Sequence, residues 1–526
     1  MTTPHHGHPR RWLILAVLIL GLFGMSMDNT VLIIALPVLS NALQADTSQL
    51  QWMVDGYTLV FASLLLMSGA LSDRYGRRRL LVLGLGFFGL GSARAPLAHS
   101  ADLLIALRAF MGLGASLAMP PTLSIIADVF DEDERPKAIA AWSGTAALGI
   151  VAGPIVGGLL LEHFAWPSVF VVNVPLAVAG IVATLAIVPE SKAPGHVPMD
   201  PAGAVLSVAA LVALTYGIIE APGYGWSDPR IVWSLALTVV FGAVLVAWER
   251  RVEHPMLDIG LFRNARFSAA CLSVTLSFFS LNAALFLLTL YLQQVRGLSP
   301  LDTGYRFIAI AAGIVVASPI AARLTVRYGA RLTTSLGLGI IAVGMGLAGT
   351  INVSTGDPRI LAICFVAAAG MGMAMTPATD AIMGAVPSEK FGVGSAVNDA
   401  TREIGGALGV AILGSFWQGE YAARVAGAAA MLPSGAAQVV RSSFAGAAAI
   451  AEKIGGQPGA DLLSAARSAF VGAMDWTCLI GAAFAVAGLL VAAAFLPARA
   501  VPADASATPE ILQVDHSTTR EHGALG

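Results

Sequence analysis

The apolar residues of this chain come in blocks about twenty residues long, the length a helix needs to cross the hydrocarbon core of a bilayer. Fourteen such segments can be marked, near 12–36, 49–71, 80–98, 102–126, 138–161, 168–188, 201–219, 230–248, 267–292, 303–322, 332–350, 359–380, 394–416 and 477–496. Blocks of this length predict an all-α polytopic membrane protein, because a segment in lipid has to satisfy its backbone polar groups internally. Composition agrees: of 526 residues 56% are hydrophobic and 12% charged, against roughly a quarter charged in a soluble domain. Lys+Arg 30 and Asp+Glu 32 leave a net charge of −2, so no basic field points to nucleic acid. Cys271, Cys364 and Cys478 are scattered through apolar segments and read as small buried hydrophobes, not as a disulfide framework or metal site.

The first segment follows Arg10 and Arg11, is too long for a signal-peptide core and lacks a small-residue cleavage site, so it is expected to remain as a span. Orientation follows from where Lys and Arg fall. With the N-terminus in the cytoplasm, nineteen of the 30 basic residues lie in inner loops and tails, including Arg74, Arg77, Arg78, Arg79, Arg250, Arg251, Arg323, Arg327 and Arg331. An even number of spans then places both termini in the cytoplasm. The expected organisation is a tail at 1–11, a six-helix bundle at 12–190, two inserted spans at 191–255, a second bundle at 256–498 and a solvated tail at 499–526. The second bundle includes an Ala-rich outer segment, 417–476, whose apolar residues recur at helical spacing and predict one or two amphipathic helices.

An internal echo supports this division. The second segment is followed by Gly69-Ala-Leu-Ser-Asp73-Arg74-Tyr75-Gly76-Arg77-Arg78, and the tenth by Ala322-Arg-Leu-Thr-Val326-Arg327-Tyr328-Gly329-Ala330-Arg331, an offset of 253. If segments 1–6 and 9–14 are equivalent, both copies fall between the same two spans and segments 7 and 8 are an insertion. Repeated halves around a midplane site are the architecture of secondary transporters.

Ionisable residues inside spans are costly unless paired, neutralised or facing water, so each is a functional candidate. Asp28 lies sixteen residues past Trp12, about 24 Å at 1.5 Å per residue, in the outer half. Asp55 and Arg108 enter their spans from outside to a similar depth, and all three can share one layer. Asp399 and Glu403 are at i and i+4 on one face of segment 13, with Asn398 and Arg402 in the adjacent row, in the inner half. Such carboxylates can exchange a proton for a cationic substrate; helix-end capping by Asp28 or Asp55, or static pairing with Arg108 and Arg402, is the competing reading. Asp380 is better explained by helix-end solvation.

Small residues form a second pattern. Gly149, Gly153 and Gly157 recur at i, i+4 and i+8, with Gly158 beside them and Pro154 bending the helix, a face suited to close helix approach. The turn Gly69–Arg79 holds Asp73 among four arginines, and Asp73, Arg77 and Asp128 can form a latch between spans. Candidate cavity aromatics around Asp28 are Trp52, Tyr57, Phe61, Phe278, Phe279 and Phe286, whose rings can attract a cation. There is no G-x-x-x-x-G-K-[ST] motif and no H-E-x-x-H, and the histidines sit in loops, termini or span edges, so neither an enzyme, a metal site nor a cofactor is expected.

Together these motifs resemble the fourteen-span drug:proton antiporter branch of the major facilitator superfamily, the group of quaternary-ammonium and multidrug exporters. The resemblance covers roughly 10–416 and 475–496. It is carried by Asp28-Asn29-Thr30-Val31 through Pro37, by Gly69–Arg79, by Arg108 with Gly112 and Gly114, by the antiporter motif Gly149–Gly158, and by Asn398–Gly409. It implies a major facilitator fold of two six-helix bundles plus two central helices, 14 spans in all. It further implies a bacterial plasma-membrane exporter of hydrophobic, often cationic compounds, driven by the proton gradient without cofactor and functional as a monomer. The chain departs from that branch at Ile314 and Asn398, where some of its members carry acids; fewer membrane acids favour monovalent cations or neutral amphiphiles. An exporter dedicated to one endogenous metabolite, lipid or antibiotic is the rival reading.

Overall fold

Each of the fourteen apolar segments lies in helix, and no strand occurs among the described residues, which in this computed structural model are 8–131, 134–192, 200–253, 255, 259–386 and 391–496. The tail expected at 499–526, and most of that at 1–11, fall outside them. The helices are α1 (Arg11–Leu43), α2 (Thr47–Tyr75), α3 (Arg77–Arg94), α4 (Ala101–Val129), α5 (Arg135–His163), α6 (Ser168–Val171), α7 (Asn173–Ile187), α8 (Pro201–Tyr224), α9 (Pro229–Glu249), α10 (Ala265–Leu290), α11 (Pro300–Ala348), α12 (Asp357–Met383), α13 (Phe391–Ala429), α14 (Ser434–Ser442), α15 (Phe444–Ile454) and α16 (Gly456–Phe495). Starts are set by side-chain caps: Asp46 accepts from Gln49 N in a capping box, and Ser100, Asp200 and Ser299 cap α4, α8 and α11.

Ten helices among the described residues are long and apolar enough to cross a membrane, or eleven if bent α2 is one span. The protein is therefore a multi-pass membrane protein. That count takes α11 once, yet its 49 residues would run about 74 Å if straight, more than twice a hydrocarbon core of about 30 Å. The helix breaks at Gly329 (φ 86°, ψ 165°), between the segments expected at 303–322 and 332–350. Gly76, its counterpart in the echo, breaks the chain between α2 and α3 at φ 115°, ψ 129°. The repeated Arg-Tyr-Gly thus marks a repeated turn, with glycine where a side chain would be strained. In both copies the arginine lies over the tyrosine ring, at 5.5 Å for Arg74 on Tyr75 and 5.3 Å for Arg327 on Tyr328.

Two bundles result. In the first, α1 packs on α5 and α7, and α4 on α2 and α3; in the second, α11 packs on α12 and α16, and α10 on α12, α13 and α16. They meet along a seam of α2 with α13 and α5 with α11. The inserted α8 and α9 pair with each other, and α8 lies against both α2 and α13. Segment 417–476 is less separate than its composition suggests: α13 runs on to Ala429 and α16 already begins at Gly456, leaving only α14 and α15 as distinct amphipathic pieces. Alanine is the strongest helix former, so the flanking helices simply continue.

The face where α1 starts is called the near face. Arg11 bonds Glu134 there, tying α1 to the α4–α5 loop, and the α2–α3 turn meets the end of α4. The opposite end is the far face.

Candidate transport site

In the first bundle, Asp28 and Arg108 pair directly, with side chains 2% and 0% exposed. The other carboxylate oxygen of Asp28 accepts from Asn173 Nδ2 at 2.6 Å. Arg108 Nε donates to the Met53 carbonyl at 3.1 Å and Nη2 to Asn29 Oδ1 at 3.3 Å, while its guanidinium lies 4.4 Å from the Tyr57 ring centroid. Taking two ions out of water costs several kcal/mol each, recovered only when their remaining donors and acceptors are also met. Here α1, α2, α4 and α7 each supply a partner. Gly112 makes the approach possible, since a Cβ there would overlap the Tyr57 carbonyl.

Asp55 does not join this cluster. It is fully buried, and neither carboxylate oxygen has a hydrogen-bond partner among the described residues. The reason is helical geometry: Asp55 is two positions from both Met53 and Tyr57, so its side chain leaves α2 about 200° around the axis from theirs. Depth was shared, as expected, but direction was not.

On α13, Arg402 Nη1 contacts Asp399 Oδ1 at 3.4 Å, with side chains 21% and 15% exposed, and its guanidinium lies 4.9 Å from the Phe278 ring. Asn398 accepts from Thr379 Oγ1 at 3.2 Å. Glu403 is half-buried, and lies within electrostatic reach of Asp399, Arg402 and, across the seam, Tyr57. The two charged groups are thus within electrostatic reach across the seam through Tyr57 and Glu403, the first fully buried and the second partly so.

The glycines of α5 serve two partners. A Cβ on Gly149 would stand 2.6 Å from Ser26 Cβ, one on Gly153 would overlap the Thr30 hydroxyl, and one on Gly157 would come within 3.2 Å of Val31 Cγ1. These three hold α5 against α1 within the first bundle. Gly158 faces the second bundle, where its Cβ would lie 2.6 Å from Leu301 Cα, and a Cβ on Gly304 of α11 would overlap the Pro154 carbonyl. At the near face Arg77 bonds both Asp73, at 2.8 Å, and Asp128, which forms the expected latch. Gly69 packs α2 toward Pro120 of α4. Glu190, which no motif singles out, accepts from Arg78 N at 3.1 Å and stands 3.8 and 3.5 Å from the Arg78 and Arg79 side chains.

The sequence profile described as Major Facilitator Superfamily matches residues 18–410. The chain belongs to this superfamily. It is 36% identical over 485 residues to the multidrug efflux pump LfrA of Mycolicibacterium smegmatis, covering 92% of this chain and 95% of that protein. It is 31% identical over 535 residues to the tetracenomycin C resistance and export protein of Streptomyces glaucescens, covering 98% and 97%. A solved structure of a bacterial homologue of the human lysosomal transporter Spinster, inward-facing and unoccupied, matches with a TM-score of 0.64 at 18% identity, over 94% of this chain and 100% of that one; this likeness concerns the fold alone. The superfamily is one of transporters, not enzymes.

For this superfamily member, the expected ring of aromatics around Asp28 contracts. Tyr57 sits under Arg108 with Phe61 6.0 Å behind it, but Phe278 belongs to Arg402. Trp52 instead donates to Glu220 of α8 at 3.0 Å. Phe279 packs on Phe484 at 4.8 Å, and Phe286 is buried in the second bundle's core. These rings share a sequence neighbourhood with the charges but point to other helices. Among polar groups, Asn173, Gln51 and Glu220 carry no motif in the sequence, while Asn29 lies in the stretch Asp28-Asn29-Thr30-Val31. Asn173 stands alone in an apolar stretch, the one available signal.

Proposed function

We propose that the protein is a proton-coupled efflux transporter that exports lipophilic, often cationic compounds, such as quaternary ammonium compounds, dyes and antibiotics, by alternating access. It would reside in a bacterial inner membrane with fourteen crossings, the near face and both termini cytoplasmic, and act as a monomer, since one chain supplies every group of the site. Drug export by relatives that match nearly the whole chain supports the substrate class.

The observation that carries the reading is the pairing of two unlike charged groups across the seam. Asp28 is held by Arg108 and Asn173 in a dry pocket, where a carboxylate has fixed donors. Asp399 and Glu403 are less completely enclosed, each only partly buried on α13. In this arrangement the α13 acids exchange protons with the near side while Asp28 is shielded; a cation entering beside Tyr57 meets ring faces and carboxylates. The glycine contacts of Gly158 and Gly304 let α5 and α11 seal the far half closely while remaining free to separate.

Ethidium accumulation in energised cells, with and without a protonophore, tests this reading. Expressing cells should accumulate less dye than empty cells until the gradient is collapsed, and Asp28→Asn should abolish the difference. Equal accumulation in both strains would sink it. A second reading, a dedicated exporter of one natural product, is favoured by the likeness to the tetracenomycin C exporter; it predicts export of one compound class and indifference to unrelated dyes.

A further inference from the structure

The far half of the seam is closed by neutral amides. Gln51 of α2 is fully buried, and its Nε2 donates across the seam to the carbonyls of Val410 at 2.8 Å and Ala411 at 3.2 Å and to Ser415 Oγ at 3.5 Å, all on α13. These carbonyls lie inside a helix, so Gln51 uses lone pairs left over from the helical bonds. Room for the amide comes from Gly414, where a Cβ would overlap it. A second glutamine acts alike: Gln293, in the π-helical turn after α10, donates to the Ile34 carbonyl of α1 at 2.8 Å. Thr47 adds a bond to the Ser442 carbonyl at 3.1 Å. Among the described residues, these side-chain bonds between the bundles all fall in the far half, so the halves are joined there.

The Gln51 contact is built to be broken. Its Oε1 is buried with no partner among the described residues, and an unpartnered buried acceptor is destabilising relative to a hydrated one. Closing the seam satisfies the donor end and strands the acceptor end; opening it exposes both ends to water. No ion has to be desolvated or separated in either direction. The near-face latch differs in kind, since Asp73, Arg77 and Asp128 all belong to one bundle.

We propose that Gln51 is a positioning residue of the transport cycle, the catch between α2 and α13 that holds the far face shut in this state and lets go as that face opens. The inference rests on the transporter reading above, and its test separates the two. Cysteines placed at the exposed positions Ala42 on α1 and Gln438 on α14 would carry spin labels in full-length protein in lipid nanodiscs, with the three buried native cysteines left in place. Distances between the labels would be measured by double electron–electron resonance without substrate or gradient. Gln51→Ala should enlarge the long-distance, far-open population at least threefold. Gln51→Glu should enlarge it at least as much, because a carboxylate brings no donor to those carbonyls. Gly414→Ala, which displaces the amide without removing it, should act in the same direction, and the double variant with Gln51→Ala should exceed Gln51→Ala alone by less than twofold. Unchanged distance distributions in both Gln51→Ala and Gly414→Ala would overturn the proposal. So would an ethidium assay in which Gln51→Ala weakens dye affinity as much as turnover; the catch predicts a turnover change at least fivefold with affinity held within twofold. If the distances shift as expected and even the unaltered protein exports no dye, the catch stands and the drug-efflux reading fails.

Discussion

In the first bundle Asp28 and Arg108 are 2% and 0% exposed and anchored from four helices, whereas in the second Asp399 and Arg402 are 15% and 21% exposed and joined by one contact at 3.4 Å. The backbones of the two bundles nevertheless echo each other down to the glycine turns at Gly76 and Gly329. Even the far-face contacts correspond: Gln49 of α2 bonds Asp102 of α4 at 3.0 Å, and Arg306 of α11 bonds Asp357 of α12. What diverged is the chemistry hung on the repeat. Val326 and Ala330 stand where the latch of the first bundle has Asp73 and Arg77, at the same offset of 253. A duplicated helical frame preserves helix lengths, turns and packing, while a buried ion pair needs every partner at once and is readily lost from one copy.

This contrast can be broken experimentally. The largest effect is expected at Asp28. Asp28→Asn leaves Arg108 buried without a counter-charge, which should destabilise the protein by about 3–5 kcal/mol and abolish gradient-driven export; a small shift in a detergent unfolding transition would show that the pair is not dry. Gly153→Val comes next, because the added side chain meets Thr30 of α1; overpacking of this kind costs about 1–3 kcal/mol, and should show as a lowered unfolding temperature together with slower export. For Asp399→Asn with Glu403→Gln, the loss of stability should be smaller than for Asp28→Asn, since Asp399 meets Arg402 through one contact at 3.4 Å, while export and its pH profile change. Stability loss equal to that at Asp28 would erase the difference between the bundles, and silence toward every cation tested would make the α13 acids structural.

Smaller still is the effect of copying the latch. Val326→Asp with Ala330→Arg introduces an i, i+4 pair at the second turn, and should add at most about 0.5 kcal/mol; a gain of several kcal/mol would mean that the second turn, too, is poised for a latch. The smallest expectation concerns Glu134. The hydrogen bond from Arg11 holds its carboxyl below the ordinary glutamate range. A depressed carboxyl contributes stability above its unfolded value that is lost as pH falls through the folded one. Glu134→Gln should therefore lower thermal stability slightly at neutral pH, where the contribution is present, and converge with the unaltered protein at the acid end, which flattens the acid limb. An identical acid limb in the variant would show that the bond does not form in solution.

Much of the architecture was legible in the chain. Blocks of about twenty apolar residues dictate spanning helices because lipid offers the backbone no alternative partner, and the Arg-Tyr-Gly echo located the repeated turn. The glycine face of α5 and the Asp73–Arg77–Asp128 latch were likewise readable, because helical spacing tells which residues share a face. The sequence also singled out Asp28, Arg108, Asp399 and Glu403, since charges inside spans are too costly to be incidental. Which of them would touch was beyond it. Depth along a span follows from counting residues, but direction around the axis, and the helix that faces that direction, depend on packing between segments far apart in the chain. That is why Asp55, at the right depth, stands apart from Arg108, why Trp52 turns to Glu220 and Phe279 to Phe484, and why Asn173 and Gln51 became visible only once α7 and α13 were in place. Composition and spacing determined that this chain spans a membrane as two repeated halves with few internal charges. Tertiary packing alone decided which charges are fully buried, which are partly exposed, and where two neutral glutamines fasten the halves together.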